Sequence, residues 1–407
     1  MNFVFVSPHY PVRYYKWVEA LRDHGIRVLG IGDAPYGELH ERLKRALTEY
    51  YFVPDMNSKD SMIKAVEYFK NKYGQIDFIE SDNEWWLDSD AVLREWFNVR
   101  SGFFPADMRH IKAKSAMKEY FARGGAKTMR YILVDGPQDK QKAIEFRAEV
   151  GYPLFVKPNV GVGATDSYAL HDDEEFEAFF SKALPETYIM EEYIEGYIVS
   201  FDGVCDSKSD VVFCTTDHFP TPIDQIVNGA QDVSYYNNPF QLPMDDIDAK
   251  AFEEVGRKVV KSFGIKKRFF HIEFFVLTKD KPGFAKKGEF VALECNMRPA
   301  GGNTPDLIDF GASVSCYQIY ADVIAYDENR QDMSLPKYYA WSASRRKELV
   351  YAHSHQDIEA RYRNHICMMG QYPANIAKAM GDYFYFAKFQ TIEEAREFGR
   401  YVLEKAK

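Results

Sequence analysis

Two glutamates, an asparagine and an arginine carry the strongest chemical signal in this chain. The stretch Glu294-Cys295-Asn296-Met297-Arg298-Pro299-Ala300-Gly301-Gly302 closes an apolar run, Phe290-Val291-Ala292-Leu293. On a strand, alternate side chains share a face. Phe290, Ala292, Glu294 and Asn296 are therefore expected on one side, with Val291, Leu293 and Cys295 on the other. A carboxylate and an amide oxygen on an apolar strand are hard ligands, and an arginine follows at once; that grouping suits a magnesium ion carrying phosphates. A second run, Arg268 to Leu277, is almost wholly apolar except for His271 and Glu273. The polar segment Thr278 to Glu289 makes an antiparallel hairpin the simplest pairing of the two runs. Glu273 and Glu294 then point at one spot, where two carboxylates repel unless a cation lies between them. The alternative, two strand-end residues facing water, sits poorly with glutamates that interrupt otherwise buried patterns.

A further group lies upstream. Tyr152-Pro153-Leu154-Phe155-Val156-Lys157-Pro158 ends in a lysine, and Asn159 to Ser167 follows with Gly161 and Gly163. Glycines let backbone N–H groups approach phosphate oxygens, and the lysine adds a compact positive charge. No Gly-Lys-Ser/Thr follows, so this is not a Walker loop, and a glycine-bearing turn beside a solvated lysine is the rival reading. Tyr188-Ile189-Met190-Glu191-Glu192-Tyr193-Ile194-Glu195-Gly196 could offer its backbone to an adenine edge while Glu191 accepts from the exocyclic amine. Taken alone, it reads better as an exposed edge strand protected by charge.

The order of these groups is more specific than any one of them. From Lys114 to about Gly311 the chain resembles the ATP-grasp superfamily, whose members hold ATP between two α+β lobes. Lys114-Ser115-Ala116-Met117-Lys118, followed by Gly125, is similar to the family's first-lysine helix, with Ala113 where an aspartate is usual. The resemblance implies that Lys114, Lys157, Gly161 and Gly163 bind the ATP phosphates. It implies that Glu191, Glu192 and Ile194 form the adenine hinge. It makes Glu273, Glu294 and Asn296 the ligands of Mg2+ (or Mn2+) and Arg298 the catalytic arginine on the transferred phosphate. Many members place a glutamate on the ribose where this chain has Ile198; Glu195 or Asp202 are the candidate substitutes. Gly301, Gly302, Asn303 and His218 are the candidate substrate contacts.

The stretch around Glu294 is most similar to the carboxylate–amine ligases, including amino-acid ligases. The implied reaction activates a carboxylate as an acylphosphate at the expense of ATP and joins it to an amine, releasing ADP and phosphate. A carboxylase, a carbamoyl-phosphate-type phosphoryl transferase, or a non-catalytic ATP-binding regulator are the alternatives. Partners are then small-molecule carboxylates and amines, with a homodimer usual for the family.

The expected fold is α/β and α+β. An open parallel α/β domain spans 1–108. An ATP-grasp domain on antiparallel sheets spans 109–327, divided into a smaller ATP lobe (109–195) and a larger metal and substrate lobe (196–327). A small closing section spans 328–407. In the first domain, strands at Asn2–Ser7, Arg27–Ile31, Glu49–Val53 and Ile76–Glu80 alternate with helices at Val12–His24 and Lys59–Tyr73, which predicts a parallel sheet. The loop after its first strand lacks the glycines of a dinucleotide turn. Ser81-Asp82-Asn83-Glu84-Trp85-Trp86 stands at a strand's C-terminal end, where α/β sheets bind ligands; a helix cap followed by packing aromatics is the favoured reading. His353 and His355 could share one strand face as a metal pair, although no third ligand is near.

Composition narrows the rest. The 407 residues carry a net charge of −10, which argues against duplex nucleic acid as a partner. No apolar run approaches the roughly 20 residues of a membrane span, and the N-terminus reads as a strand rather than a signal peptide. Five cysteines, an odd number without CxxC spacing, fit a cytoplasmic chain with free thiols.

Overall fold

The structure, a computed structural model, describes residues 1–161, 166–220, 231–245 and 247–406. The first unit follows from four short strands: β1 (Asn2–Val6), β2 (Arg27–Gly32), β3 (Glu49–Phe52) and β4 (Phe78–Glu80). They form a parallel sheet in the order β3-β2-β1-β4. Every residue of central β1 is buried, as expected of a parallel strand covered on both faces. Ser58 caps the helix Lys59–Tyr73 by accepting from the Ser61 amide.

Two sheets follow, antiparallel throughout except for one parallel pairing at an edge of the larger one. Strand β5 (Lys127–Thr128) leaves for the larger one, while β6 (Tyr131–Val134), β7 (Leu154–Pro158), β8 (Tyr168–Leu170) and β9 (Tyr188–Glu192) form a four-stranded lobe in the order β6-β9-β7-β8. β9 is an inner strand with all five residues buried, not an edge. The larger sheet contains β10 (Gly196–Cys205), β11 (Val211–Phe219), β12 (Val233–Asn238), β13 (Arg268–Leu277), β14 (Phe290–Asn296), β15 (Tyr339–Arg345), β16 (Ile366–Gln371) and β17 (Tyr383–Phe389). Its order is β16-β17-β15-β12-β11-β10-β13-β14-β5. The last three strands thus extend the same sheet that carries the glutamates, through the pairing of β12 with β15.

The strongly amphipathic helix Ala249–Phe263 buries Phe252, Val259, Val260 and Phe263 against one face of this sheet. The first unit docks through the helices Tyr15–Asp23 and Cys316–Tyr326, where the Trp17 ring lies 4.4 Å from that of Tyr317 and 5.3 Å from that of Tyr320. A buried ionic knot reinforces the seam. Glu80, at the end of β4, receives Arg94 at 3.3 Å and also Arg268 of β13. Arg268 in turn donates to the Met297 carbonyl at 3.0 Å. A charge buried without its partner is costly, so both arginines depend on Glu80.

His353 and His355 do not share a strand. Ser354 caps the helix His355–Tyr362. His353 stacks on Tyr401, and His355 bonds the Tyr385 hydroxyl. An N-cap serine with an aspartate three residues on (Asp357) outweighs the alternation that suggested a strand.

Candidate active site

The β13–β14 ribbon sets Glu273 opposite Glu294 and His271 opposite Asn296. All four side chains therefore share one face. The pairing carries a bulge. Glu273 faces Glu294, but the next residue, Phe274, faces Ala292, leaving Leu293 as the surplus residue. Phe290 and Ala292 therefore turn to the opposite face from Glu294, where Ala292 packs in one core cluster with Phe274 and Cys295. The simple alternation expected across 290–296 is corrected by this one extra residue, which re-aims the strand end as bulges commonly do beside functional sites.

Electrostatics distinguish the two glutamates. His271 is held between Asp202 (2.7 Å to Nδ1) and Glu273 (3.1 Å to Nε2). Burial disfavours its charged form, but the two carboxylates outweigh burial and raise its pKa to about 10, so it is an imidazolium. Burial alone would lift Glu273, yet His271, Arg298 and Lys157 hold it below the ordinary range. Glu294 is pushed up by burial, with Glu273 and Glu84 adding to the effect against Lys114 and Lys157. Lys114 Nζ approaches Glu294 at 3.2 Å and donates to the Gly161 carbonyl at 3.0 Å. Among the described residues no group of three His, Cys, Asp or Glu side chains is placed to hold a metal ion. The donor set is two carboxylates and the Asn296 amide.

Lys157, at the end of β7, meets Glu191 of β9 at 2.8 Å, and Lys118 meets the same carboxylate at 2.5 Å. Burial would raise Glu191, but the two lysines overcome it and hold it down at about 2. The Glu191 carboxylate thus joins two cations rather than standing free for an adenine amine. Glu192 is bound by Arg130 through Nε at 3.1 Å and Nη2 at 2.7 Å. The Ile194 side chain is buried with Met129, Leu277 and Val291. Ile198 is buried in β10 between Phe219 and Phe275. Of its proposed substitutes, Asp202 is committed to His271 and Ser200, and Glu195 to Lys279 at 2.6 Å. Gly163 lies outside the described residues.

Arg298 is engaged by a residue that sequence reasoning did not select. Its Nη2 and Nε donate to one Glu84 oxygen at 2.7 and 3.1 Å, and its Nη1 donates to the Pro299 carbonyl. Glu84 follows β4. Asn83 caps the helical turn there, as expected, by accepting from the Trp85 amide. The aromatic pair packs only in part: Trp86 is half-buried against the core, whereas Trp85 is 65% exposed. The only sequence signal for Glu84 was its place at the C-terminal end of a parallel strand.

The candidate substrate residues separate. Gly302 has φ +62°, which favours glycine, while an added Cβ would meet only the flexible end of Met380, 2.5 Å away at Cε. Asn303 is nearly buried at the head of the helix Thr304–Ala312, and Gly301 precedes it in open space. Asp306 of that helix takes Arg13 through two bonds, together with Lys16, from the first unit. His218 is paired with Val199, and Ser200 with Glu273. His218 therefore lies on the opposite face from the glutamates. It stacks on Tyr236 at 4.7 Å, and burial drives its pKa down to about 3. Its neighbour Asp217 faces the glutamate side, bonded to Asn237 at 3.0 Å.

Comparison with known proteins bears on this geometry. Residues 113–280 match the family model described as carbamoyl-phosphate synthase L chain, ATP binding domain. The chain is 22% identical over 324 residues to an L-arginine-specific L-amino acid ligase of Bacillus subtilis, covering 78% of this chain and 73% of that one. An L-amino acid ligase structure from Bacillus licheniformis superposes with a TM-score of 0.71 at 15% identity, covering 98% of this chain and 96% of that one. The biotin carboxylase domain of the 2-oxoglutarate carboxylase of Hydrogenobacter thermophilus, solved as a dimer with MgADP, ADP and bicarbonate, superposes with a TM-score of 0.70 at 16% identity, covering 98% and 88%. No described helix is long and apolar enough to cross a membrane.

Proposed function

As a member of the ATP-grasp superfamily, this chain is, we propose, an ATP-dependent ligase that joins a carboxylate to an amine, with an amino acid on at least one side. One observation carries the reading. Lys114, Glu273, Glu294 and Asn296 converge from three elements on one face, and Arg298 follows the same strand. Two facing carboxylates, one of them raised, fit a divalent cation bridged to phosphates better than they fit each other. When bound by Glu273, Glu294 and Asn296, Mg2+ or Mn2+ would neutralise phosphate charge and orient the terminal phosphoryl group.

The chain's own groups do the rest. Lys157 and Lys114 bind phosphate oxygens, with Lys118 remaining on Glu191 as Lys157 turns to the nucleotide. Gly161 brings its backbone close to the phosphates. The hinge from Glu191 to Ile194 borders the base. A substrate carboxylate oxygen attacks the γ-phosphorus in line, the bond to the β,γ-bridging oxygen breaks, and ADP leaves. The amine then attacks the acyl carbon, the carbon–oxygen bond to phosphate breaks, and the amine gives up a proton. Such chemistry depends on positioning and charge neutralisation more than on a strong acid or base. Arg298, with five fixed donors, suits the charge developing on the transferred group.

Gly301, Gly302 and Asn303, beside Arg298, border the acyl side. We place the protein in the cytoplasm, acting on small molecules, with a homodimer as its assembly. The decisive test is release of ADP and phosphate across paired amino acids, with mass spectrometry of products. An amide product that requires both partners supports the reading. ADP release that depends on bicarbonate and on no amine overturns it.

A further inference from the structure

A cavity of about 460 Å³ opens between the first unit and the turn after β7, within the ~300–1,000 Å³ usual for small-molecule sites. Two of its lining residues bind it to the reaction. Glu84 holds Arg298 at 2.7 Å. Gly161 accepts from Lys114, which reaches Glu294 at 3.2 Å. An occupant of this cavity therefore touches the partners of both the arginine and the first lysine.

Its lining is apolar where it is deep and charged where it is shallow. Met56, Met62 and Leu93 are each at most 2% exposed, while Trp85, at 65%, stands at the mouth beside Trp86. The lining holds two carboxylates, and both are committed: Glu84 to Arg298, and Asp88 to Lys112. Neither is left for a cationic side chain. Lys59, another lining residue, lies over the Trp96 ring at 5.4 Å and has no carboxylate partner among the described residues. Methionine and tryptophan surfaces recognise bulk and polarisability, and an apolar floor penalises a buried charge.

We propose that this cavity seats the side chain of an amino-acid substrate and selects a bulky apolar or aromatic one. The substrate's carboxylate lies toward Arg298, where it meets the opposite charge. This rests on the ligase reading above. A missing apolar group is worth roughly 10–200-fold per methylene in a shaped pocket. Phenylalanine, leucine and methionine should therefore exceed glycine and arginine by at least ~100-fold in kcat/KM.

The experiment measures ADP release with phenylalanine, leucine, methionine, glycine, arginine or aspartate as the first substrate, over a panel of second amino acids. It compares wild type with Val92→Trp and Ser89→Phe, two substitutions on the cavity's helical wall, and uses unchanged MgADP affinity as the control for folding. Calorimetric binding of phenylalanine is measured in parallel. A preference for the bulky apolar substrates, with KM raised at least tenfold by either substitution, supports the proposal. Turnover confined to glycine or charged amino acids, and unmoved by both substitutions, overturns it while the ligase reading stands. If no pair turns over, phenylalanine binding that either substitution abolishes keeps the cavity assignment and ends the ligase reading; absence of that binding ends both.

Discussion

Glu84 and Arg298 stand 214 residues apart in the chain and 2.7 Å apart in the fold. The first comes from the parallel α/β unit and the second from the end of the glutamate-bearing ribbon, so the proposed site draws on both units. Arg298 is thereby fixed before any substrate arrives, and preorganised donors of this kind need no rearrangement at the moment of reaction. Glu84→Gln keeps the shape and removes the charge. Hydrogen bonds to charged groups contribute ~1.5–3 kcal/mol, so kcat/KM for the amino acid should fall roughly 10- to 100-fold. The KM for ATP should not move. Initial-rate kinetics by coupled ADP release would check this, and a change below twofold would mean that the ion pair only staples the two units.

Arg298→Ala should lower kcat by about 10² to 10³, with nucleotide affinity near that of wild type. Arg298→Lys should not recover it, because a point charge cannot reproduce two directed bonds to one carboxylate. Stopped assays of phosphate release at saturating ATP decide the matter. Near-normal turnover in Arg298→Ala would remove this residue from the reaction.

Treatment with a chelator should abolish ADP release, and added Mg2+ or Mn2+ should restore it. Glu273→Gln or Glu294→Gln should raise the Mg2+ concentration for half-maximal rate by at least ~10-fold, in line with the cost of disturbing a metal site. Manganese binding followed by electron paramagnetic resonance gives a readout independent of turnover. Equal Mn2+ affinity in both variants and wild type would exclude these carboxylates as ligands.

Glu191 makes a prediction about acid stability. Its folded pKa of about 2 lies below the ordinary 4.5, because Lys157 and Lys118 outweigh its burial. Its contribution is therefore fully present above about pH 4.5 and is lost as pH falls toward 2. The stability gap between wild type and Glu191→Gln should be constant from pH 7 to 5 and narrow below that. Urea unfolding at several pH values measures it; a gap independent of pH down to 3 would show that the lysines do not hold this carboxylate.

The legible parts of the site are those encoded by local spacing. Glu273 and Glu294 could be paired from sequence because each interrupts an apolar run and a short polar connection joins the runs. The parallel order of the first unit followed from alternating strands and helices. What local spacing does not encode stayed hidden. Glu84 could not be matched to Arg298, because nothing near either residue specifies a partner in another unit. The role expected for Glu191 changed because Lys118 approaches it from a helix more than 70 residues earlier. The wrong face for His218 has a different cause. In β11, side-chain direction reverses at each residue, and the register gives the glutamate face to Asp217 and the opposite one to His218. Phe290 and Ala292 were misplaced by the bulge, since a period of two holds only while no residue is left over.

That leftover residue, Leu293, has a consequence for how this protein can change over time. Substituting the ligands would silence the site, whereas losing the single codon for Leu293 leaves every ligand in place and on its own face. Without Leu293 the pleat would run unbroken from Phe290. Ala292 would be followed directly by Glu294, so the pairs Phe274–Ala292 and Glu273–Glu294 would continue as one regular ladder, with Ala292 still on the core face and Glu294 still beside Glu273. A homologue that kept both glutamates but lacked the spare residue would spell the site differently and still set the two carboxylates face to face.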